Sequence, residues 1–218
     1  MKPKILIIGN KEVDFPISDE KLKFINSFNI IVRVNRMNNF FETGQRVDWW
    51  WLDHNIKKFK FDSKIVTEVK RIILNAATVR VFGLSETKND ELDIVKLKKL
   101  FPNLQYNCEI IKNQNYDNCN ICERNKYWVV SKELKTIPTT FIICVSHIVD
   151  EYADTYDIYF TCTDLEGRSE LYKTNKNWST SWHRNVGKYE EDYLKLMIKE
   201  GKIKYLEIEN NDKDIHNS

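Results

Sequence analysis

The stretch "KILIIGN", Lys4 to Asn10, decides the reading of the whole chain. Ile5, Leu6, Ile7 and Ile8 are apolar at every position rather than at every second one, and the run stops on Gly9 and Asn10. A continuous apolar run is what a strand buried on both faces requires, and such strands belong to parallel sheets covered by helices. In an α/β domain a buried strand that ends on Gly-Asn often marks the place where a nucleotide meets the protein. Glycine leaves room beside the backbone, and the Asn amide can hydrogen-bond a phosphate or a base. An ordinary strand-to-loop turn ends the same way. The pair is neither a dinucleotide fingerprint, which needs further glycines, nor a P-loop, which needs Gly-Lys-Ser/Thr.

Outward from this strand the pattern alternates. Ser18 ahead of Asp19 and Glu20, with apolar Leu22, Ile25 and Phe28, predicts an N-cap and a short amphipathic helix. "NIIVRVN", ending at Asn35, predicts a second strand, and "VDWWWLD" a third over Val47 to Leu52. "FDSKIVTEVKRIIL" carries apolar Ile65, Val66, Val69, Ile72 and Ile73, a spacing that predicts a helix with one buried face. "TVRVFG" predicts a fourth strand and "DELDIVKLKKLF" another helix. From about Asn103 to Lys135 the chain is rich in Asn, Cys, Lys and Tyr, with weak periodicity, and reads as an insertion or lid. "PTTFIICVSHIVDEY" predicts a buried helix and "DIYFTCTD" a strand; "KYEEDYLKLMIKEGKIKYLEI" predicts a helix stopped by Gly201 and a last strand. The expectation is one α/β domain over 1–208, a Rossmann-like, mostly parallel sheet of about six or seven strands with helices on both faces. A polar tail at 209–218 completes it.

Composition narrows the function. The 34 basic and 32 acidic residues nearly cancel, which gives no electrostatic footprint for nucleic acid. No apolar run approaches the roughly 20 residues of a membrane-spanning helix. The N-terminus enters the first strand without a leader pattern, so a cytoplasmic chain with reduced cysteines is expected. Cys108, Cys119 and Cys122 include one C-x-x-C, but zinc wants four ligands; neither metal nor cofactor is expected. His147, inside an apolar helix, reads as a core or subunit-contact residue.

Ligands of open α/β sheets bind beyond the carboxyl ends of the strands. There stand Gly9 and Asn10, Asn35, Asp53 and His54, and Thr161 and Cys162. Arg33 shares a side with Asn35 by the period of two, and a charge within an apolar strand needs a partner or an edge position. His183, in "WSTSWHRNVGKYEEDYL", stands just before the last helix, where a neutral imidazole could take a proton from a hydroxyl. Glu190 and Glu191 fall in the first turns of that helix and could equally cap it. The one Asp-x-Asp, Asp212 to Asp214, lies in the polar tail, a poor place for a metal-dependent sugar transferase.

Together the pieces resemble a sialyltransferase. "IIGN", "IVRVN" and "FFETGQRVDWWW" resemble the long nucleotide-binding motif of the animal-type enzymes (family 29), through Gly9, Asn10, Arg33, Asn35, Gly44 and Asp48. The bacterial enzymes of family 42 have a similar layout. Their helix-opening Ser-Gly corresponds to Thr139 and Thr140, and their "Ile-Tyr-Leu-Ser-Gly-x-Asp" strand end to "IYFTCTD", Ile158 to Asp164. The pattern from His183 through "GKIKYL" resembles the last motif of both families. Thr140 and Cys162 stand where those families have glycine. The resemblance implies a GT-A-like variant of the Rossmann-like fold and metal-independent, inverting transfer from a CMP-activated donor to a glycan hydroxyl. It implies a mobile lid at about 163–182, and His183 as the base or as a ligand of the donor phosphate. Gly9, Asn10, Arg33, Asn35, Asp53, Thr139, Thr140, Thr161 and Cys162 would lie around the donor nucleotide, with Tyr159, Tyr172 or Tyr189 available to the leaving phosphate. A catalytically inactive relative that binds a nucleotide or glycan is the alternative.

Overall fold

The computed structural model describes residues 1–11, 13, 17–35, 37, 39–53, 71–75, 107–111, 139–165 and 181–208. Among these, seven strands form one sheet: β1 (Lys4–Ile8), β2 (Ile30–Val34), β3 (Trp49–Asp53), β4 (Arg71–Asn75), β5 (Asn107–Ile111), β6 (Asp157–Thr161) and β7 (Lys204–Tyr205). Their order is β5-β4-β3-β2-β1-β6-β7, and every pairing is parallel. Successive strands run outward from β1 to β5; the chain then returns to add β6 on the other side of β1. The strand order reverses between β1 and β6, and in open α/β sheets that reversal opens a crevice beyond the carboxyl ends.

The two faces of β1 have different partners. Ile5 and Ile7 join Val32, Val34, Trp51, Ile158 and Phe160 under helices α2 (Thr140–Tyr152) and α3 (Ser181–Lys199). Leu6 and Ile8 join Ile31 under α1 (Asp19–Asn26), which contributes Ile25, with Phe28 just beyond its end. The continuous apolar run thus serves two layers at once. Helix α2 shares one core with the sheet and with Tyr193, Leu194 and Met197 of α3, and its residues from Phe141 to Ser146 are all buried. Ser18 caps α1, its Oγ accepting from the Lys21 amide at 3.3 Å. Gly201, at φ +70°, ends α3 in a Schellman motif: its amide donates to the Ile198 carbonyl and that of Lys202 to Met197, both at 2.9 Å.

Several sequence expectations need correction. Residues 71–75 are not the end of a helix but strand β4, with Ile72 beside Trp50 and Cys108. The run "RIIL" is too short to distinguish the two periods, and a β-branched pair is favoured on a pleated surface. Residues 61–70, "TVRVFG" and "DELDIVKLKKLF" lie outside the described residues. Within the stretch expected to be an insertion, 107–111 form strand β5, the last of the described row, which places Cys108 in the sheet. The last helix begins at Ser181, so His183 lies in its first turn rather than ahead of it.

Candidate functional site

At the reversal point β1 and β6 stay paired past their ends. The Gly9 amide donates to the Thr161 carbonyl and the Lys11 amide to the Cys162 carbonyl, both at 2.9 Å. A Cβ on Gly9 would lie 2.3 Å from the Cys162 carbonyl oxygen and 3.3 Å from Phe141 Cε2, in the first turn of α2. The space that the sequence reading reserved for a ligand is therefore filled by the backbone of β6 and the first turn of α2. Asn10 reaches sideways: its Oδ1 accepts from the Met37 amide at 3.0 Å. Asn39 answers from the β2–β3 loop, its Nδ2 donating to the carbonyls of Gly9 (3.1 Å) and Lys11 (3.0 Å), on either side of Asn10.

Arg33 is the centre of that loop. It is 1% exposed in an interior strand, so the partner, not the edge, explains its charge. Nε donates to the Arg46 carbonyl at 2.9 Å, and Nη1 to Thr43 Oγ1 at 2.8 Å and Asn39 Oδ1 at 3.4 Å. Nη2 donates to the Thr43 carbonyl at 3.3 Å and to the Gly44 carbonyl. Five acceptors match the five N–H donors of a guanidinium. Burial lowers its pKa to about 10, against the pull of Cys162 and Glu42, so it stays a cation at neutral pH. In this arrangement Arg33 supports the loop from below. Asp48, matched to the same motif, also builds structure: it accepts from the Ile31 amide at 2.9 Å and pairs with Arg46 at 2.7 Å, at the amino ends of β2 and β3.

Three non-glycine residues hold left-handed backbone at or just beyond these strand ends: Asn35 (φ 52°), Met37 (φ 53°) and Cys162 (φ 52°). Such conformations persist only where the surroundings enforce them. At Asn35 the turn ends the alternation of β2, so the shared side inferred for Arg33 and Asn35 does not carry past Val34. The Asn35 amide donates to the Trp51 carbonyl at 2.8 Å, and its carbonyl accepts from Trp50 Nε1 at 3.0 Å. Burial pushes the Cys162 thiol up to about 11, outweighing the Thr161 hydrogen bond and the nearby Arg33 and Lys11. Thr161 Oγ1 donates to the Leu206 carbonyl at 2.7 Å, tying β6 to the segment after β7. Asp53 ends β3 opposite Asn75, two strands from β1. Tyr159 packs its ring on Phe28 at 5.1 Å, on the α1 side of the sheet. His147 stacks near Trp51, ring centroids 5.3 Å apart.

Helix α2 starts against the same crevice. Thr139 is its N-cap, and Thr140, half-buried, its first residue. The first turn carries no acidic residue. Instead Glu190, fully buried in α3, accepts from the Thr139 amide at 2.6 Å. A carboxylate there complements the positive end of α2. Glu190 thus caps a different helix from the one the sequence suggested, while Glu191 pairs with Lys195 and Lys188 on the outer side. Thr139 Oγ1 is buried without a partner. Positions 183, 187, 190, 194 and 197 fall on one stripe of α3 by the helical repeat. Gly187, Glu190, Leu194 and Met197 on that stripe are buried. Position 183 is two turns before Glu190, about 10 Å further along the axis.

Sequence reasoning missed Asn39, Thr43 and the role of Glu190. A signal existed for the first two: an Arg inside an apolar strand demands acceptors, and the turn-forming "NNFFETG" follows within a few residues. Among the described residues no cluster of His, Cys, Asp and Glu could hold a metal, and no helix is long and apolar enough to cross a membrane. No protein-family model matches the chain, and no curated protein matches it.

Proposed function

We propose that the chain is a metal-independent, inverting glycosyltransferase of sialyltransferase-like type, built on a GT-A-like variant of the Rossmann-like sheet. It moves a sugar from a CMP-activated donor, CMP-sialic acid or similar, to a glycan hydroxyl. One observation carries the reading. Segments far apart in the chain, each resembling a donor-binding motif, meet where the strand order of the described sheet reverses. Gly9 touches Cys162 and Phe141, Asn10 and Asn39 join the β1 and β2 loops, and the start of α2 lies against them.

In this reading 1–208 act as one domain in the cytoplasm, with 163–182 as the lid and no cofactor. The acceptor hydroxyl gives its proton to a base as its oxygen attacks the anomeric carbon. The bond from that carbon to the phosphate oxygen breaks with inversion, and CMP leaves with the electron pair. His183, in the first turn of α3, is either that base or a ligand of the leaving phosphate. Asn35, Asp53, Thr139, Thr140 and Thr161 border the donor, whereas Gly9, Arg33 and Cys162 act by fixing the backbone around it. The test is CMP release from CMP-sialic acid with a glycan acceptor in EDTA. His183→Ala should lose about 10²–10⁴-fold in kcat while folding as before; a loss under about threefold removes His183 from both roles.

A second reading, a nucleotide- or glycan-binding module without turnover, is favoured by a different observation. The Gly9 amide, the Asn10 carboxamide oxygen and all five Arg33 donors already have protein partners, and Cys162 stands where the families have glycine. That reading predicts CMP binding with no transfer from any donor.

A further inference from the structure

The loop from Met37 to Gly44 is held more firmly than a connection between neighbouring strands requires. Arg33 makes four of its five hydrogen bonds into it, Asn39 ties it to Gly9 and Lys11, and Asn10 holds the Met37 amide. Thr43 closes its turn with two bonds to the Asn39 carbonyl, 3.0 Å from the amide and 2.7 Å from Oγ1. The loop contains left-handed backbone at Met37 and Gly44, and beneath it a cation is taken out of water. Desolvating a guanidinium and bending the backbone both cost free energy, so the loop's shape itself is being fixed.

What that shape displays is Phe41. Asn39, Phe40 and Thr43 are buried, but Phe41 is 64% exposed. Its ring stands edge-to-face with Phe40 at 5.6 Å, and the Phe40 ring faces the Arg33 guanidinium, 5.0 Å from its centroid. Where the backbone is already held, a large apolar ring in water has only its own rotamers left to lose when a ligand covers it. Resting on the transferase reading, we propose that Phe41 is the stacking surface for a pyranose ring of the acceptor glycan. The electron-rich ring face attracts the polarised C–H groups of a sugar. A ring open to water suits an acceptor that arrives from solvent, whereas a nucleotide held in a pocket is mostly enclosed.

The experiment uses the full chain with Phe41→Ala and Phe41→Trp. Phe41→Ala should raise the acceptor KM about two- to tenfold, and Phe41→Trp should restore it. The KM for CMP-sialic acid and the thermal shift given by CMP should stay as in the parent. An unmoved acceptor KM overturns the proposal. So does an equal change in donor KM or CMP shift, which would put the nucleobase on this ring. If the parent turns nothing over, the transferase reading fails separately, and saturation-transfer NMR with methyl β-D-galactopyranoside still decides Phe41. The pyranoside signal should be present in the parent and lost in Phe41→Ala; equal signals, or none from the parent, overturn the proposal.

Discussion

A methyl group at Gly9 would come within 2.3 Å of the Cys162 carbonyl oxygen, and that oxygen is backbone, fixed by the Lys11 amide. Gly9→Ala therefore forces the ends of β1 and β6 apart. A loss of about 1–3 kcal/mol is expected in urea unfolding, the usual cost of overpacking, and an unchanged midpoint would contradict the packing described here. Cys162 gives a pH-dependent prediction. Its thiol, normally near 9.0, titrates at about 11 when folded because burial disfavours the thiolate. The unfolded chain ionises first, so the thiol's contribution is full below pH 9 and is lost as pH rises through 11. Cys144, raised by burial alone, acts in the same direction. Arg33 acts oppositely, its folded pKa being lowered, but only above about pH 10. The parent should lose about 2 kcal/mol from Cys162 between pH 9 and 11. Cys162→Ala should lose less over the same range; parallel pH profiles would show the thiol to be irrelevant. At this scale the sequence marked Gly9, Asn10, Arg33 and Cys162 but not what they touch. Gly9 is glycine because of a carbonyl 153 positions later, and nothing local to Gly9 encodes that approach.

Between elements, the contact to test is the one from α3 to the start of α2. Glu190→Ala removes the acceptor of a buried amide at Thr139, for an expected cost of about 1–3 kcal/mol in chemical denaturation. Glu190→Gln keeps an acceptor oxygen and should lose less than half as much. Equal losses would mean that charge, not the hydrogen bond, sets the value. Elements with a clear signal were legible: the β1 run, the Ser18 cap of α1, the apolar α2 and the Gly201 stop of α3 each carry their cause in adjacent residues. β4 and β5 were not. "RIILN" and "NCEII" are five-residue strands with no cap, turn or period of their own. Their state is decided by neighbours in the sheet: β4 pairs with β3 and β5, and β5 closes the row. Glu190 was legible as a capping carboxylate, but which helix it caps depends on how α2 and α3 pack.

For the molecule as a whole, the alternation of strands and helices implied a parallel α/β sheet, and the sheet is parallel in every pairing described. The order of the strands, and so the position of the reversal between β1 and β6, is not written in any local pattern. It depends on which side of β1 the returning chain fills. That reversal is where the proposed donor site lies, and the claim that CMP binds there without metal is the centre of the account. The most direct test is the melting temperature of the full chain with CMP, in EDTA and again in magnesium. Ligand at 100 times its Kd stabilises the folded state by about 2.7 kcal/mol, which for a chain of this size raises Tm by roughly 5–10 °C. That rise is expected, equal in EDTA and in magnesium. No rise with CMP, or a rise that appears only with magnesium, would contradict it.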